Sequence, residues 1–136
     1  MWLPAANVLV MGDLLVNGGY PVIDESSNGS LRGMINALER LLRIVNADTV
    51  VVPGHGAIGD RRTLFVFADL LRAIEERVQS LVALHSTPAQ NIAAAPTREF
   101  DGVWGSGYVT GDVFVRMVLA GLDLATKAKE VGHSTE

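Results

Sequence analysis

Two short apolar runs, each followed by a glycine and a side chain that can bind metal, constrain the fold of this chain more than any other feature. The first run is NVLVMGD at residues 7–13, and the second is TVVVPGHG at residues 49–56. Continuous apolar runs of this length are typical of buried strands, and the glycine after each one predicts a turn. We therefore expect Asp13 and His55 just beyond the ends of two strands, at the edge where α/β sheets bind ligands.

The segments that follow these runs have the apolar periodicity of amphipathic helices. Asp60, Thr87 and Asp112 each precede such a segment, and all three are typical N-cap residues. On the helix after Asp60, we expect the polar residues 75–77 to point into water. The predicted helices span residues 31–45, 61–84, 88–95 and 113–129.

A strand, a helix and a second strand joined by short connections form a βαβ unit, which predicts two parallel strands. Residues 2–4 indicate a hairpin-like entry into the first strand, and residues 21–24 indicate a short extended piece. The sequence therefore predicts an α/β fold in a single domain over residues 1–136, with a disordered tail at 130–136. Because so small a sheet has helices for only one of its faces, we expect the other face to be bare.

The composition narrows the classes of function. Of the 136 residues, 49% are hydrophobic, which indicates strands buried on both faces or a surface that binds a partner. No apolar run reaches the length of about 18 residues that a membrane span needs, so we expect no membrane insertion. A net charge of −4 with scattered Lys and Arg disfavours nucleic-acid binding. The absence of cysteine excludes disulfides and thiolate sites, and it fits a cytoplasmic protein.

The runs at residues 8–13 and 50–56, with Asn17, Gly18 and Pro21 between them, resemble the C-terminal half of the metallo-β-lactamase superfamily. The resemblance implies half of an αββα sandwich, a small mixed sheet covered by helices on one face. It also implies a metal site, usually with two zinc ions, at one edge of the sheet. In that pattern Asp13 matches the carboxylate that bridges the metals and His55 matches a terminal ligand. Asp13 and His55 are thus implied as the catalytic and metal-binding residues of a zinc-dependent hydrolase.

The chain departs from the family pattern in its ligands. The motif His-x-His-x-Asp-His of the family's first half is absent, and the three histidines are His55, His85 and His133. Catalytic zinc usually has three protein ligands and a water. The matched motif provides two ligands, and Asp24, Asp60 and His85 are only speculative additions. We interpret His85 as structural or exposed and His133 as inert, and we expect the chain alone to bind zinc weakly and to need another chain for activity.

Two functions follow from these observations. The first is a metal-dependent hydrolase of an ester, thioester, amide or phosphodiester, present as a C-terminal half. The alternative is a non-catalytic half-domain whose bare sheet face binds a second copy or a complementary half-domain. A homodimer would bring together two aspartates and two histidines. A small-molecule binder that uses the glycine-rich residues 105–111 is a third alternative, but we interpret that segment as a flexible surface loop.

Overall fold

A computed structural model describes residues 1–84 and 87–133, with side chains described as far as residue 123. Within these ranges, the fold is a small sheet with helices packed against it. Two short 3-10 helices, Pro4–Ala6 and Glu25–Ser27, lie in the connections. The strands and α-helices are β1 (Trp2–Leu3), β2 (Val8–Val16), α1 (Leu31–Leu42), β3 (Val50–His55), α2 (Arg61–Ala83), α3 (Pro88–Ala93), α4 (Asp101–Trp104) and α5 (Gly111–His133).

The sheet has the order β1-β2-β3. β1 is antiparallel to β2, with Trp2 opposite Leu9, so the predicted hairpin-like entry is confirmed. β2 is parallel to β3, with Leu9 opposite Val51, and α1 lies between them in the chain. The parallel βαβ unit and the α/β class are therefore both confirmed.

The two faces of the sheet differ in their exposure to solvent. Leu9, Met11, Leu15 and Val51 are buried in a core that also contains apolar side chains of α1, α2 and α5. The register places a second set of aliphatic side chains on the opposite face, where all of them are half-buried or exposed. We call this set the aliphatic sheet face; it consists of Leu3, Val8, Val10, Val50 and Val52. This difference in burial agrees with the prediction that helices cover only one face of the sheet.

β2 does not end at Met11, so the turn predicted at Gly12 and Asp13 is wrong. The strand continues to Val16, although its pairing with β3 shifts register on both sides of Gly12. Gly12 has a φ of +55°, a left-handed conformation that lets the strand kink and then resume its pairing. Asp13 therefore lies inside an irregular strand rather than beyond its end. His55 is the last residue of β3 instead of following it.

The helix starts were predicted more accurately than the helix ends. Asp60 caps α2 and exchanges hydrogen bonds with Thr63, and Thr87 caps α3 in the same way with Gln90. The prediction of Asp112 as a cap is wrong, because it lies in the first turn of a helix that starts one residue earlier.

The ends of two helices differ from the prediction in opposite directions. α1 ends at Leu42, three residues before the predicted boundary. α5 runs to His133 and takes in most of the tail expected at 130–136, because residues 125–130 include Ala, Lys and Glu, which favour a helix, and no proline interrupts it. Residues 134–136 lie outside the described part of the chain.

The interpretation of Glu75 as a water-facing residue is wrong. Its side chain is only 2% exposed, and it forms an ion pair with Arg32 of α1. α1 and α2 pack against each other, so α2 buries a wider stripe than its apolar residues alone predict.

In the part of the chain that the structure describes, none of the helices combines the length and the apolar character that crossing a membrane requires.

Candidate functional site

The structure brings Asp13 and His55 together at one edge of the sheet. The Nε2 atom of His55 lies 3.3 Å from Oδ1 of Asp13, and the two side chains are 70% and 84% exposed, respectively. The two residues come from neighbouring parallel strands that are separated by α1 in the sequence. This short distance is a result of the tertiary structure, since local sequence patterns carry no information on it.

The pairing of β2 with β3 fixes the position of His55. After the kink at Gly12 the strands pair again, with Val16 opposite His55. The backbone N–H of Asn17 donates to the carbonyl of His55 at 2.9 Å, and Nδ2 of Asn17 donates to the carbonyl of Ala57 at 2.7 Å. The backbone on both sides of the imidazole is thereby held against the end of β2.

The glycines on either side of His55 allow this close approach. A Cβ atom on Gly54 would lie 2.6 Å from the backbone carbonyl carbon and oxygen of Gly12. A Cβ atom on Gly56 would overlap the backbone of Asn17, and Gly56 also has a φ of +91°. Larger residues at these positions would push β3 away from β2. The two glycines therefore position His55 next to Asp13.

A cavity of about 310 Å³ opens beside the pair. The turn that follows β2 forms one wall, and residues 107–109 form another. Tyr108 extends from the second wall with 97% of its surface exposed. Our interpretation of this glycine-rich segment as a plain surface loop therefore missed a residue of the site. The only signal in the sequence was an aromatic residue within a run of glycines.

Tyr20 anchors the walls of this cavity to the core. Its hydroxyl donates to Oδ1 of Asp101 at 2.8 Å, and its backbone N–H donates to the carbonyl of Trp104 at 3.0 Å. Its ring stacks on Phe114 with a centroid separation of 5.0 Å. Burial, together with the hydrogen bond to Asp101, raises the pKa of Tyr20 well above its ordinary value. Tyr20 is therefore a neutral structural residue rather than a base.

The donor atoms of Asp13 and His55 fit one metal ion. Two ligands of a tetrahedral zinc ion with bonds of about 2.0–2.2 Å lie about 3.3–3.6 Å apart. The observed separation of 3.3 Å falls within that range. Among the described residues, however, no group of three or more His, Asp or Glu side chains is arranged to hold a metal ion. The described chain thus offers two ligands, one fewer than a catalytic zinc site usually has.

Both aspartates that the sequence offered as additional ligands are engaged in capping a helix. Asp24 caps a 3-10 helix and accepts hydrogen bonds from Ser26 and Ser27, which lower its pKa. Asp60 is occupied as the cap of α2. His85 lies outside the described residues, and so does the side chain of His133.

A larger and more open groove of about 690 Å³ lies elsewhere, between the C-terminal half of α2 and residues 94–99. Arg77, which lines the groove together with Arg98, donates to the carbonyl of Pro96 at 2.9 Å, pairs with Glu99 and lies over the ring of Phe100. These contacts hold α2 against the segment that precedes α4. We interpret the groove as a structural junction.

Comparison with protein-family models gave no match for this chain. A search of curated proteins likewise gave no match. The resemblance to the metallo-β-lactamase superfamily therefore stays a prediction that rests on the motif residues, above all Asp13 and His55.

Proposed function

We propose that this chain provides part of the metal site of a zinc-dependent hydrolase of the metallo-β-lactamase type. Asp13 and His55 would be two of the ligands, and another chain or segment would supply the rest. The observation that carries the proposal is the 3.3 Å separation of Asp13 Oδ1 and His55 Nε2, which suits a shared metal ion. By the resemblance, both residues would hold the metal of such a site.

The chain's own residues would bind and orient the metal. Asp13 offers a carboxylate and His55 an imidazole nitrogen, both donors that zinc accepts. Gly54 and Gly56 allow the two strands to hold these donors in place. When bound, zinc would polarise the scissile bond and lower the pKa of water. We also propose the cytoplasm as the compartment, because a cysteine-free chain needs no oxidising environment.

Zinc titration by calorimetry on the full chain tests this proposal. We expect weak binding for the unmodified chain and a loss of about tenfold or more in affinity for both Asp13→Ala and His55→Ala, because each variant removes one of two ligands. Asp48→Ala is the matched control, since this exposed aspartate precedes the opposite end of β3. Zinc binding that is unchanged in both site variants would contradict the proposal.

One observation favours a second candidate, a non-catalytic module that binds a second copy of itself. On the aliphatic sheet face, Leu3 is 39% exposed and Val50 is 42% exposed, although both belong to strands. Contiguous apolar surface of this kind is typical of protein interfaces. Under this proposal two copies would cover each other's sheet faces, and Asp13 and His55 would have no catalytic role.

A further inference from the structure

The junction between the end of α1 and the start of α2 concentrates positive charge in a chain that is acidic overall. Residues 40–62 contain four arginines, two aspartates and no lysine or glutamate, whereas the whole chain has a net charge of −4. Nη2 of Arg61 donates to the carbonyl of Leu42 at 3.4 Å, so its guanidinium lies next to the backbone that leads into Arg43. The packing of α1 against α2 thus brings together cations that are separated in the sequence.

Arg62 occupies a position that the helix itself disfavours. It is the second residue of α2, where the helix dipole favours acidic side chains, yet the first turn contains none. Within the described residues its guanidinium has no ion-pair partner, whereas Arg32, Arg72 and Arg77 on α1 and α2 each pair with a glutamate. A residue that breaks a local rule without a compensating contact is typical of a functional site.

A groove of about 400 Å³ lies at this junction, and we call it the arginine groove. Phe65 is one of its lining residues and is 48% exposed, so the groove combines positive charge with apolar surface. Asp60 also lines it, but its carboxylate is engaged by the backbone N–H and the hydroxyl of Thr63. The full lining consists of Ala47, Asp60, Arg61, Arg62 and Phe65.

The arginine groove lies away from Asp13 and His55. Gly59 and Val51 exchange two backbone hydrogen bonds of 2.9 Å, so the start of α2 lies beside the first residues of β3. His55 is the last residue of that strand. A ligand in the arginine groove therefore does not depend on the proposed metal site.

We propose that the arginine groove binds an acidic peptide segment of another protein, one that also carries an apolar side chain. Carboxylates of the peptide pair with Arg61 and Arg62, because the planar guanidinium forms two parallel hydrogen bonds with a carboxylate. The apolar side chain covers the exposed part of Phe65, which removes both surfaces from water.

The charges favour a peptide over a nucleic acid or an anionic membrane. Both of those present negative charge continuously over a large area. They would meet Asp48 and Asp60 next to the arginines, and the rest of the chain is more negative than its net charge of −4 because this junction is positive. A short peptide has its carboxylates at a few positions, so it can pair with the arginines and avoid these aspartates.

Nuclear magnetic resonance on the full ¹⁵N-labelled chain tests the proposal with acetylated and amidated peptides, while the amide shifts of Arg62 and Phe65 are followed. The probe is Glu-Glu-Leu-Phe-Glu-Glu. Its controls are Lys-Lys-Leu-Phe-Lys-Lys, with the charge reversed, and Glu-Glu-Gly-Ser-Glu-Glu, without the apolar pair. We expect the probe to bind at least about tenfold more tightly than the first control and about fivefold more tightly than the second. Added salt should weaken its binding, since exposed ion pairs are screened.

Arg62→Glu separates binding from folding. The helix dipole favours a glutamate in the first turn of α2, so this variant should melt at the same temperature as the unmodified chain or higher. It should nevertheless bind the probe at least about tenfold more weakly, because an anion replaces one of the cations. Arg98→Glu is the matched control, since Arg98 is an exposed arginine that lines a different groove, and it should leave the affinity unchanged.

Phe65→Ala isolates the apolar contact. It should reduce the affinity for Glu-Glu-Leu-Phe-Glu-Glu about threefold or more and leave that for Glu-Glu-Gly-Ser-Glu-Glu unchanged. Tyr108→Ala is its control, because Tyr108 is an exposed aromatic residue that does not line the arginine groove.

Several results would overturn the proposal. They are no binding of the probe, equal binding of the charge-reversed peptide, and an unchanged affinity in Arg62→Glu. Tighter binding of an oligothymidine strand or of phosphatidylserine vesicles would instead assign the arginine groove to a nucleic acid or a membrane. A dimer that Arg62→Glu converts to a monomer in light scattering would make a second copy the occupant.

The zinc titration keeps this proposal separate from the proposed function. Arg62→Glu should leave zinc affinity unchanged, and His55→Ala should leave peptide binding unchanged. Peptide binding without zinc binding would refute the metal site alone, and zinc binding without peptide binding would refute the arginine groove alone.

Discussion

At the scale of single residues, the glycines around His55 have a different role from the one that the sequence indicated. In the sequence, a glycine that follows an apolar run indicates a turn. In the structure, Gly54 lies against the backbone of Gly12, and Gly56 lies against that of Asn17. The glycines are therefore required by the contact between two strands. The exposure of the imidazole follows from where the strands end.

We predict that Gly54→Ala destabilises the protein by about 2–3 kcal/mol, because the new methyl group would overlap the backbone of Gly12 and neither strand can move alone. Urea unfolding measures this change. Because the same overlap separates Asp13 from His55, zinc affinity should fall together with stability.

Gly102→Ala is the matched control for this substitution. Gly102 lies in α4, and a Cβ atom there would meet nothing within 4 Å. Alanine in a helix should raise the stability by about 0.5 kcal/mol. If Gly54→Ala causes no more loss of stability than Gly102→Ala, the close approach of β3 to β2 does not fix the positions of Asp13 and His55.

At the scale of elements, the ion pair between α1 and α2 shows how packing overrides a local pattern. Glu75 is followed by Glu76 and Arg77, a polar group typical of a water-facing stripe. In the structure its carboxylate is buried against Arg32, whose side chain remains 57% exposed. Burial raises the pKa of Glu75, and the positive charge of Arg32 offsets part of that effect.

We predict that Arg32→Ala destabilises the protein by about 1–2 kcal/mol at pH 7 and by much less at pH 4, because the substitution leaves a buried charge unpaired only when Glu75 is ionised. The ordinary pKa of this carboxyl is 4.5, and folding raises it. Glu75 therefore keeps its proton in the folded protein at pH 4. Urea unfolding at both pH values measures the difference.

Two further variants check this assignment. Because the pKa of Glu75 is raised on folding, we expect the unmodified chain to lose stability as the pH rises above 4.5. Glu75→Gln removes the titrating group, so this loss should be absent in that variant. Arg40→Ala changes an exposed arginine in the last turn of the same helix, and it should show no such dependence on pH. A pH-independent effect of Arg32→Ala would mean that its aliphatic part, rather than its charge, stabilises the junction.

At the scale of the whole molecule, the aliphatic sheet face decides between a monomer and a dimer. Its five side chains are all leucine or valine, and each is at least partly exposed, whereas Leu9 and Val51 on the other face are buried. A second copy could cover this face through the same patch on both chains, which is the usual arrangement of a symmetric dimer. This interface would serve either proposed function.

We predict that light scattering gives a mass of twice 14.5 kDa for the unmodified chain and 14.5 kDa for Val50→Lys. A lysine there would place a charge in the centre of a dry interface. Val103→Lys is the matched control, because Val103 is an exposed valine that belongs to α4 and not to a strand of the sheet. A monomeric unmodified chain would refute the self-association, and the aliphatic sheet face would then require a different partner.

Much of the fold could be predicted from the sequence, and the reason is physical. The apolar runs at residues 8–11 and 50–52, the stripe of α1 and the caps Asp60 and Thr87 all act through neighbours a few residues away. Such local patterns predicted the α/β class and the parallel strands. They also predicted that Asp13 and His55 would lie at the same edge of the sheet.

The rest was decided by contacts between distant segments. The kink at Gly12, the separation of 3.3 Å between Asp13 and His55, the burial of Glu75 and the place of Tyr108 in the cavity wall depend on how those segments pack. The sequence by itself thus determined most of the elements, although not α4, and the two candidate ligands. Only the tertiary structure determined their distances and the cavity beside them, because strand register and helix packing depend on the whole chain.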